Sequence, residues 1–269
     1  MHTNPEDSLF KKIMQKTDTD KISSHFAKFF VWVVVITLPA KYWYRIAYYV
    51  SHFFGLISRQ ALFGKLSVQY QRAYRLNRLL SLFTRSGKAF DIPIKITGLE
   101  LLHSTQNGLA ICSVHLPLIK VGIRAILDSG FEIDAMIAGM TGSDGKMAFW
   151  GTTKRVKTIA SAEANVLIKA RSVLKENGSI SLMIDTNLGN PLSPNMLRFC
   201  GKVGAKVVFL LAELADDHSV VVHLVSPPYP YCEDDNQVNE NLNALAKLRD
   251  DILIRYQLPP VGKGNWKDI

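Results

Sequence analysis

From Asp91 onward the chain alternates short β-rich runs with amphipathic helical stretches, and no other feature restricts its fold as strongly. GLAICSV (108–114) is apolar without interruption, as a strand buried on both faces must be. IPIKI (92–96), FEIDAMIA (131–138), SISLMI (179–184), KVVFLL (206–211) and SVVVHLV (219–225) are further strand candidates, IPIKI as an edge. Between them lie helical patterns over 116–129, 161–177 (closed by Gly178), 194–203 and 236–256. The expected fold is therefore α/β: a mostly parallel central sheet covered by helices. With 48% hydrophobic and 20% charged residues, disorder is excluded for most of the chain.

The N-terminal third has a different texture. Residues 1–90 carry 14 Lys and Arg against 4 Asp and Glu, while 91–269 carry 18 against 19, so the excess positive charge of the whole chain is N-terminal. Residues 1–25 read as a loosely held polar leader. A helical region follows over 26–90: a first helix ending near Pro39, a second running to about Ile57, and a third over 61–85. In the third, Arg72, Arg75, Arg78 and Arg85 lie near one stripe opposite Leu76, Leu79, Leu80 and Phe83; the cations face either solvent or phosphates. The run FFVWVVVITL (29–38) is shorter than the roughly 20 apolar residues that cross a bilayer. Followed by KYWYRIAYYVSHFFG, it has the mixture of large apolar, aromatic and basic residues used at a lipid interface, and residues 26–50 either lie on a membrane or span it with snorkelling cations. A buried helix of a soluble domain is the alternative.

Several functions are disfavoured by what the motifs lack. GMTGSDGKM (139–147) reads as a loop: its spacing is not that of a phosphate-binding G-x-x-x-x-G-K-[ST], and Met147 stands where a hydroxyl would meet magnesium. Neither a G-x-S-x-G elbow nor a G-x-G-x-x-G after a strand occurs. The aromatic and aliphatic residues beside the cations form continuous runs, unlike the stacking platforms of nucleic-acid binders, so no nucleic-acid partner is expected. Cys112, Cys200 and Cys232 are widely spaced and read as reduced thiols of a cytoplasmic compartment, with no metal-ligand spacing.

His115 is the residue that invites chemistry. It follows the buried strand 108–114 directly, at the carboxyl end where open α/β sheets form ligand crevices, and Pro117 suits the first turn of the next helix. A histidine there serves either as a general base or as a polar strand terminus.

Five segments together resemble the lysophospholipid acyltransferase superfamily, most closely the bacterial lipid A biosynthesis (lauroyl/myristoyl) acyltransferase branch. They are LPAKYWYRIAYYVSHFFG, YQRAYRLNRLL with Asn77, ICSVHLPLIKVG around His115, VLKENGSISLMIDTNLG ending at Asp185, and SPNMLRFCGKVGAKVVFLLAEL. The resemblance implies transfer of an acyl group from acyl-carrier protein or coenzyme A to a hydroxyl or amine of a lipid-like acceptor. It makes His115 the base, requires no metal or redox cofactor, and places the protein at the cytoplasmic face of the inner membrane as a peripheral or single-anchor enzyme.

Two departures from that family stand out. Its motif is H-x4-[DE], whereas the fifth residue after His115 is Lys120, a cation that cannot orient the imidazole as an acid does. Glu132, Asp134 and Asp128 do not replace it by local spacing. Asp185 reaches the same crevice if its strand neighbours that of His115; otherwise it caps a turn with Thr186 and Asn187. The segment NLGNPLSPN (187–195) is also short where the family carries a longer loop, which points to a smaller acceptor than lipid A, or to none. The candidate catalytic residues are thus His115 and Asp185. The candidate substrate-binding residues are Lys120, Lys154, Arg155 and Asn187, with Lys154, Arg155 and Lys157 either a phosphate or carrier-protein contact or a solvated basic turn. A second reading is an acyltransferase-fold protein that has lost catalysis and acts as a membrane-bound binding or assembly partner. A third is a soluble α/β protein of another activity.

Overall fold

The computed structural model describes residues 27–56, 67–103, 108–139, 144–188 and 190–261. The expected leader, the start of the third helix and the centre of the glycine-rich loop lie outside these. Three helices open the described chain: α1 (27–37), α2 (Trp43–Leu56) and α3 (Val68–Thr84). Eight strands and four more helices follow in the order β1 (Ile94–Thr97), β2 (Leu109–Ser113), α4 (Ile119–Asp128), β3 (Ala135–Ala138), β4 (Lys146–Ala148), β5 (Arg155–Ala160), α5 (Val166–Lys175), β6 (Ser179–Met183), α6 (Asn195–Val203), β7 (Lys206–Leu214), β8 (Val220–Val225) and α7 (Asp235–Arg255).

The sheet has the order β1-β8-β7-β2-β6-β3-β5-β4. Its five central strands β7, β2, β6, β3 and β5 are parallel, while β8 and β4 pair antiparallel to their inner neighbours and β1 runs with β8. β2 lies in the interior with all five residues buried, and β1 is the expected edge. The alternating burial of β8, one face in and one half-exposed, is that of a strand near the sheet margin.

Local details depart from the sequence reading for identifiable reasons. The run 131–138 yields a strand only from Ala135, where Asp134 turns its side chain to the neighbouring strand β6: its Oδ2 accepts from Ser179 N at 2.7 Å and from Ser179 Oγ at 3.1 Å. α5 closes with Asn177 in the left-handed region (φ 60°), one residue before the expected Gly178, and Gly178 N then donates back to Val173 O at 2.9 Å. α4 begins at Ile119, after a turn through Pro117 and Leu118. β4 begins inside the run read as a loop, and β5 was not expected; the polar–apolar alternation of Arg155, Val156 and Lys157 was a legible signal for β5, but the three residues of β4 carried none.

The core runs without a break from the first helices into the sheet. Trp43 stacks on Phe83 at 5.3 Å between ring centroids and touches Phe90, while Trp43 Nε1 donates to Leu38 O and fixes the corner at Pro39. The outer faces of α1 and α2 are apolar nonetheless. Phe29, Trp32 and Ile36 on α1 are each about 60% exposed, as are Tyr49 and Phe53 on α2, with Lys28, Lys41 and Arg45 exposed beside them. Among the described residues no helix is long and apolar enough to cross a membrane. On α3 the basic stripe is not uniformly solvated: Arg72 turns onto α2, where its Nη2 donates to Tyr48 Oη and its guanidinium covers the Tyr48 ring.

Candidate active site

The site is built by strand register. β2 and β6 are parallel neighbours, with Ser113 paired to Met183 at their carboxyl ends, and Ile184 N extends the ladder to Ser113 O at 2.8 Å. Two residues further on each chain stand His115 and Asp185, which parallel register therefore brings face to face. His115 Nδ1 lies 2.7 Å from Asp185 Oδ1. The main-chain N of His115 donates to both carboxylate oxygens, at 3.0 and 3.1 Å. The Asp185 side chain is 0% exposed and that of His115 is 41% exposed. A buried acceptor thus holds an open imidazole from behind. With Nδ1–H donated to Asp185, the lone pair of Nε2 is left for a substrate proton.

Lys120, in the first turn of α4, pairs with no carboxylate among the described residues. Its ammonium lies over the Trp150 ring, 4.6 Å from the centroid, and burial pushes its pKa down. Trp150 is itself fixed: its Nε1 donates to Asn77 Oδ1 at 2.5 Å, and its carbonyl accepts from Arg124 Nη1 at 3.2 Å. Arg124 Nη1 also binds Phe90 O at 2.8 Å, and its Nε pairs with Asp128 at 2.9 Å. Gly151 makes this close packing possible. Its φ is +76°, and a Cβ there would stand 2.2 Å from Arg124 Nη1. Trp150 and Arg124 did not stand out in the sequence, since an aromatic after a glycine-rich loop and an arginine inside an apolar helix have no distinctive spacing.

The remaining candidates separate by position. Asn187, exposed two residues beyond Asp185, lies at the dyad's end of the sheet, where its carbonyl accepts from Asn190 N at 3.1 Å. Lys154 and Arg155 are not brought to the dyad. Thr158 is level with Met136, Met136 with Ser181 and Ser181 with Ile111, so Arg155 begins β5 at the opposite end of the parallel strands from His115. Lys154 Nζ donates to Leu127 O in the last turn of α4, where a cation meets the negative end of the helix dipole, and Arg155 pairs with Asp144.

No family model matches the chain, and no curated protein matches it. Among solved structures, the crystal structure of the 1-acyl-sn-glycerophosphate (LPA) acyltransferase from Thermotoga maritima aligns over 86% of this chain and 97% of that one, at 12% sequence identity and a TM-score of 0.41. A similarity of that size assigns neither residues nor a reaction.

Proposed function

We propose that this protein is a membrane-associated acyltransferase that moves a fatty acyl group from a thioester, of acyl-carrier protein or coenzyme A, to a hydroxyl or amine of a lipid-like or small acceptor. The observation that carries the proposal is the 2.7 Å contact between an open His115 imidazole and a buried Asp185 carboxylate. The acid that the motif lacks at Lys120 is supplied from the neighbouring strand. In the reaction His115 Nε2 takes the acceptor's proton as its oxygen or nitrogen attacks the thioester carbonyl. Asp185 holds the ring by Nδ1 and stabilises the imidazolium. When the tetrahedral intermediate collapses, the C–S bond breaks and the imidazolium returns the proton to the departing thiolate, giving ester or amide and free thiol. No group other than these two residues and the two substrates is needed to balance the step. Lys120, held by Trp150 at the start of α4, and Asn187, beyond Asp185, are the substrate-side polar groups of this reading.

The outer faces of α1 and α2 support the membrane contact of this reading. Large exposed aromatics between cations suit the boundary of an anionic bilayer, where the rings bury and the cations meet head groups. In this reading the protein rests peripherally on the cytoplasmic face of the inner membrane.

The test is release of thiol and formation of acylated product from a panel of acyl-carrier-protein and coenzyme A thioesters, with vesicles and candidate acceptors present. Wild type should turn over, and His115→Ala should lose about 10²–10⁴-fold. The reading without catalysis rests on the cation at Lys120. It gains if wild type and His115→Ala are equally inert while vesicle binding persists.

A further inference from the structure

A cavity of about 350 Å³ lies between the N-terminus of α3, the carboxyl end of β7 and the C-terminus of α7. Gln69, Arg72, Glu213, Asp216, Arg255 and Tyr256 line it. β7 is the neighbour of β2, with Leu210 paired to Ser113, so the cavity and His115 lie beyond the same end of adjacent strands. Its volume is near the lower bound for small-molecule sites, enough for a polar head group and too small for an extended saccharide.

The cavity's charges divide into a paired set and a free set. Glu213 is engaged: Arg255 binds it in a fork at 2.7 and 3.0 Å, and His223 Nε2 lies at 3.2 Å. Arg72 is held by Tyr48, yet among the described residues its Nε is buried without a partner, as is the acceptor Oε1 of Gln69. Ser67 caps α3 by accepting from Tyr70 N, which leaves the amides of Val68 and Gln69 without acceptors among the described residues. Tyr256 is 3% exposed; its hydroxyl accepts from Leu214 N, and its own hydrogen has no acceptor among the described residues. The Arg72 guanidinium, these two amides and the Tyr256 hydroxyl form a donor-rich, positive pole. Asp216, exposed on the turn between β7 and β8 with no hydrogen bond or ion pair among the described residues, is a negative pole.

A ligand with only one sign of charge suits this arrangement poorly. An isolated dianion would meet Asp216 and Glu213, and a bare cation would meet two arginines. A short molecule carrying both an oxyanion and an ammonium satisfies both poles. Position adds the class. Tyr48, against which Arg72 packs, precedes the exposed Tyr49 on the aromatic face of α2, so the cavity stands beside the surface read above as lipid-facing.

We propose that this cavity binds an aminoalkyl phosphate, its phosphate at Arg72 and the N-terminus of α3 and its ammonium at Asp216. The ligand is either a free aminoalkyl phosphate or the same group on a lipid. The second source rests on the membrane reading; binding itself does not.

The full chain is titrated with phosphoethanolamine, sn-glycerol 3-phosphate and ethanolamine by calorimetry. A second arm uses phosphatidylglycerol vesicles with and without lysophosphatidylethanolamine. Phosphoethanolamine should bind saturably and more tightly than either partial ligand. Asp216→Ala, a change at an exposed side chain that leaves the fold undisturbed, should weaken it about fivefold while glycerol phosphate binds as before or better. Arg72→Gln should weaken both phosphates about tenfold or more. His115→Ala should bind like wild type, so loss of acyl transfer and loss of this site are read separately. Soluble binding alone identifies a free ligand, and enhanced vesicle binding with the lysolipid identifies the head group; both support the site. Absence of saturable phosphoethanolamine binding together with no gain in vesicle binding from the lysolipid, or equal weakening of glycerol phosphate by Asp216→Ala, overturns it.

Discussion

Asp185→Asn isolates the dyad with one atom exchanged. The carboxylate accepts three contacts, two from the main-chain N of His115 and one from Nδ1, on a side chain that is 0% exposed. An amide offers a single acceptor oxygen. If that oxygen faces Nδ1, the amide NH₂ points its hydrogens toward the main-chain N–H at 3.1 Å. If the amide turns the other way, NH₂ faces Nδ1 and forces the proton onto Nε2, the atom that must be free to act as base. Exchanging charge-assisted hydrogen bonds for this mismatch costs about 1.5–3 kcal/mol. For a chain of this size that corresponds to a melting temperature lowered by about 3–12 °C. Turnover should fall further than stability, by about 10³–10⁴-fold, the order seen when the orienting acid of a serine-protease triad is made an amide. The assay is thioester turnover at saturating acceptor, with circular dichroism melting of the same preparation and KM measured alongside. A variant that melts near wild type and turns over within about threefold of it, while His115→Ala is inactive, would refute the role assigned to Asp185.

Further outcomes follow from the same geometry. Lys120→Glu places an acid five positions after His115, but Nδ1 of His115 already has its partner, so turnover should stay level or fall; a rise of tenfold or more would mean that Asp185 does not orient the ring. Gly151→Ala forces a side chain into the left-handed region against Arg124 Nη1 and Phe90 O, and chemical denaturation should show a loss of about 2–4 kcal/mol. The double change Phe29→Ser and Trp32→Ser removes two exposed rings that contribute nothing to the core. It should leave the melting temperature within about 2 °C of wild type and reduce cosedimentation with anionic vesicles at least tenfold. Wild-type cosedimentation should weaken as salt rises, because Lys28, Lys41 and Arg45 are exposed and screened.

The sequence by itself determined the architecture's class. Short β-branched apolar runs such as GLAICSV, opened by glycine, suit strands covered on both faces, and their alternation with helical periodicity points to crossovers and hence a largely parallel sheet. It also placed His115 at a carboxyl strand end, because period and punctuation are local properties. Where local competition governed the ends of elements, it was less reliable: Asp134 bound Ser179 instead of extending β3, and Asn177 took the turn expected at Gly178. Only the tertiary structure decided the site. His115 and Asp185 are 70 positions apart, and their meeting depends on β6 lying beside β2 in a register that pairs Ser113 with Met183. The same long-range order sent Lys154 and Arg155 to the far end of the sheet and brought Asn77, Trp150 and Lys120 together from three separate segments. Periodicity states which face of an element is buried; strand order and register, set by packing over the whole core, state what stands beside it.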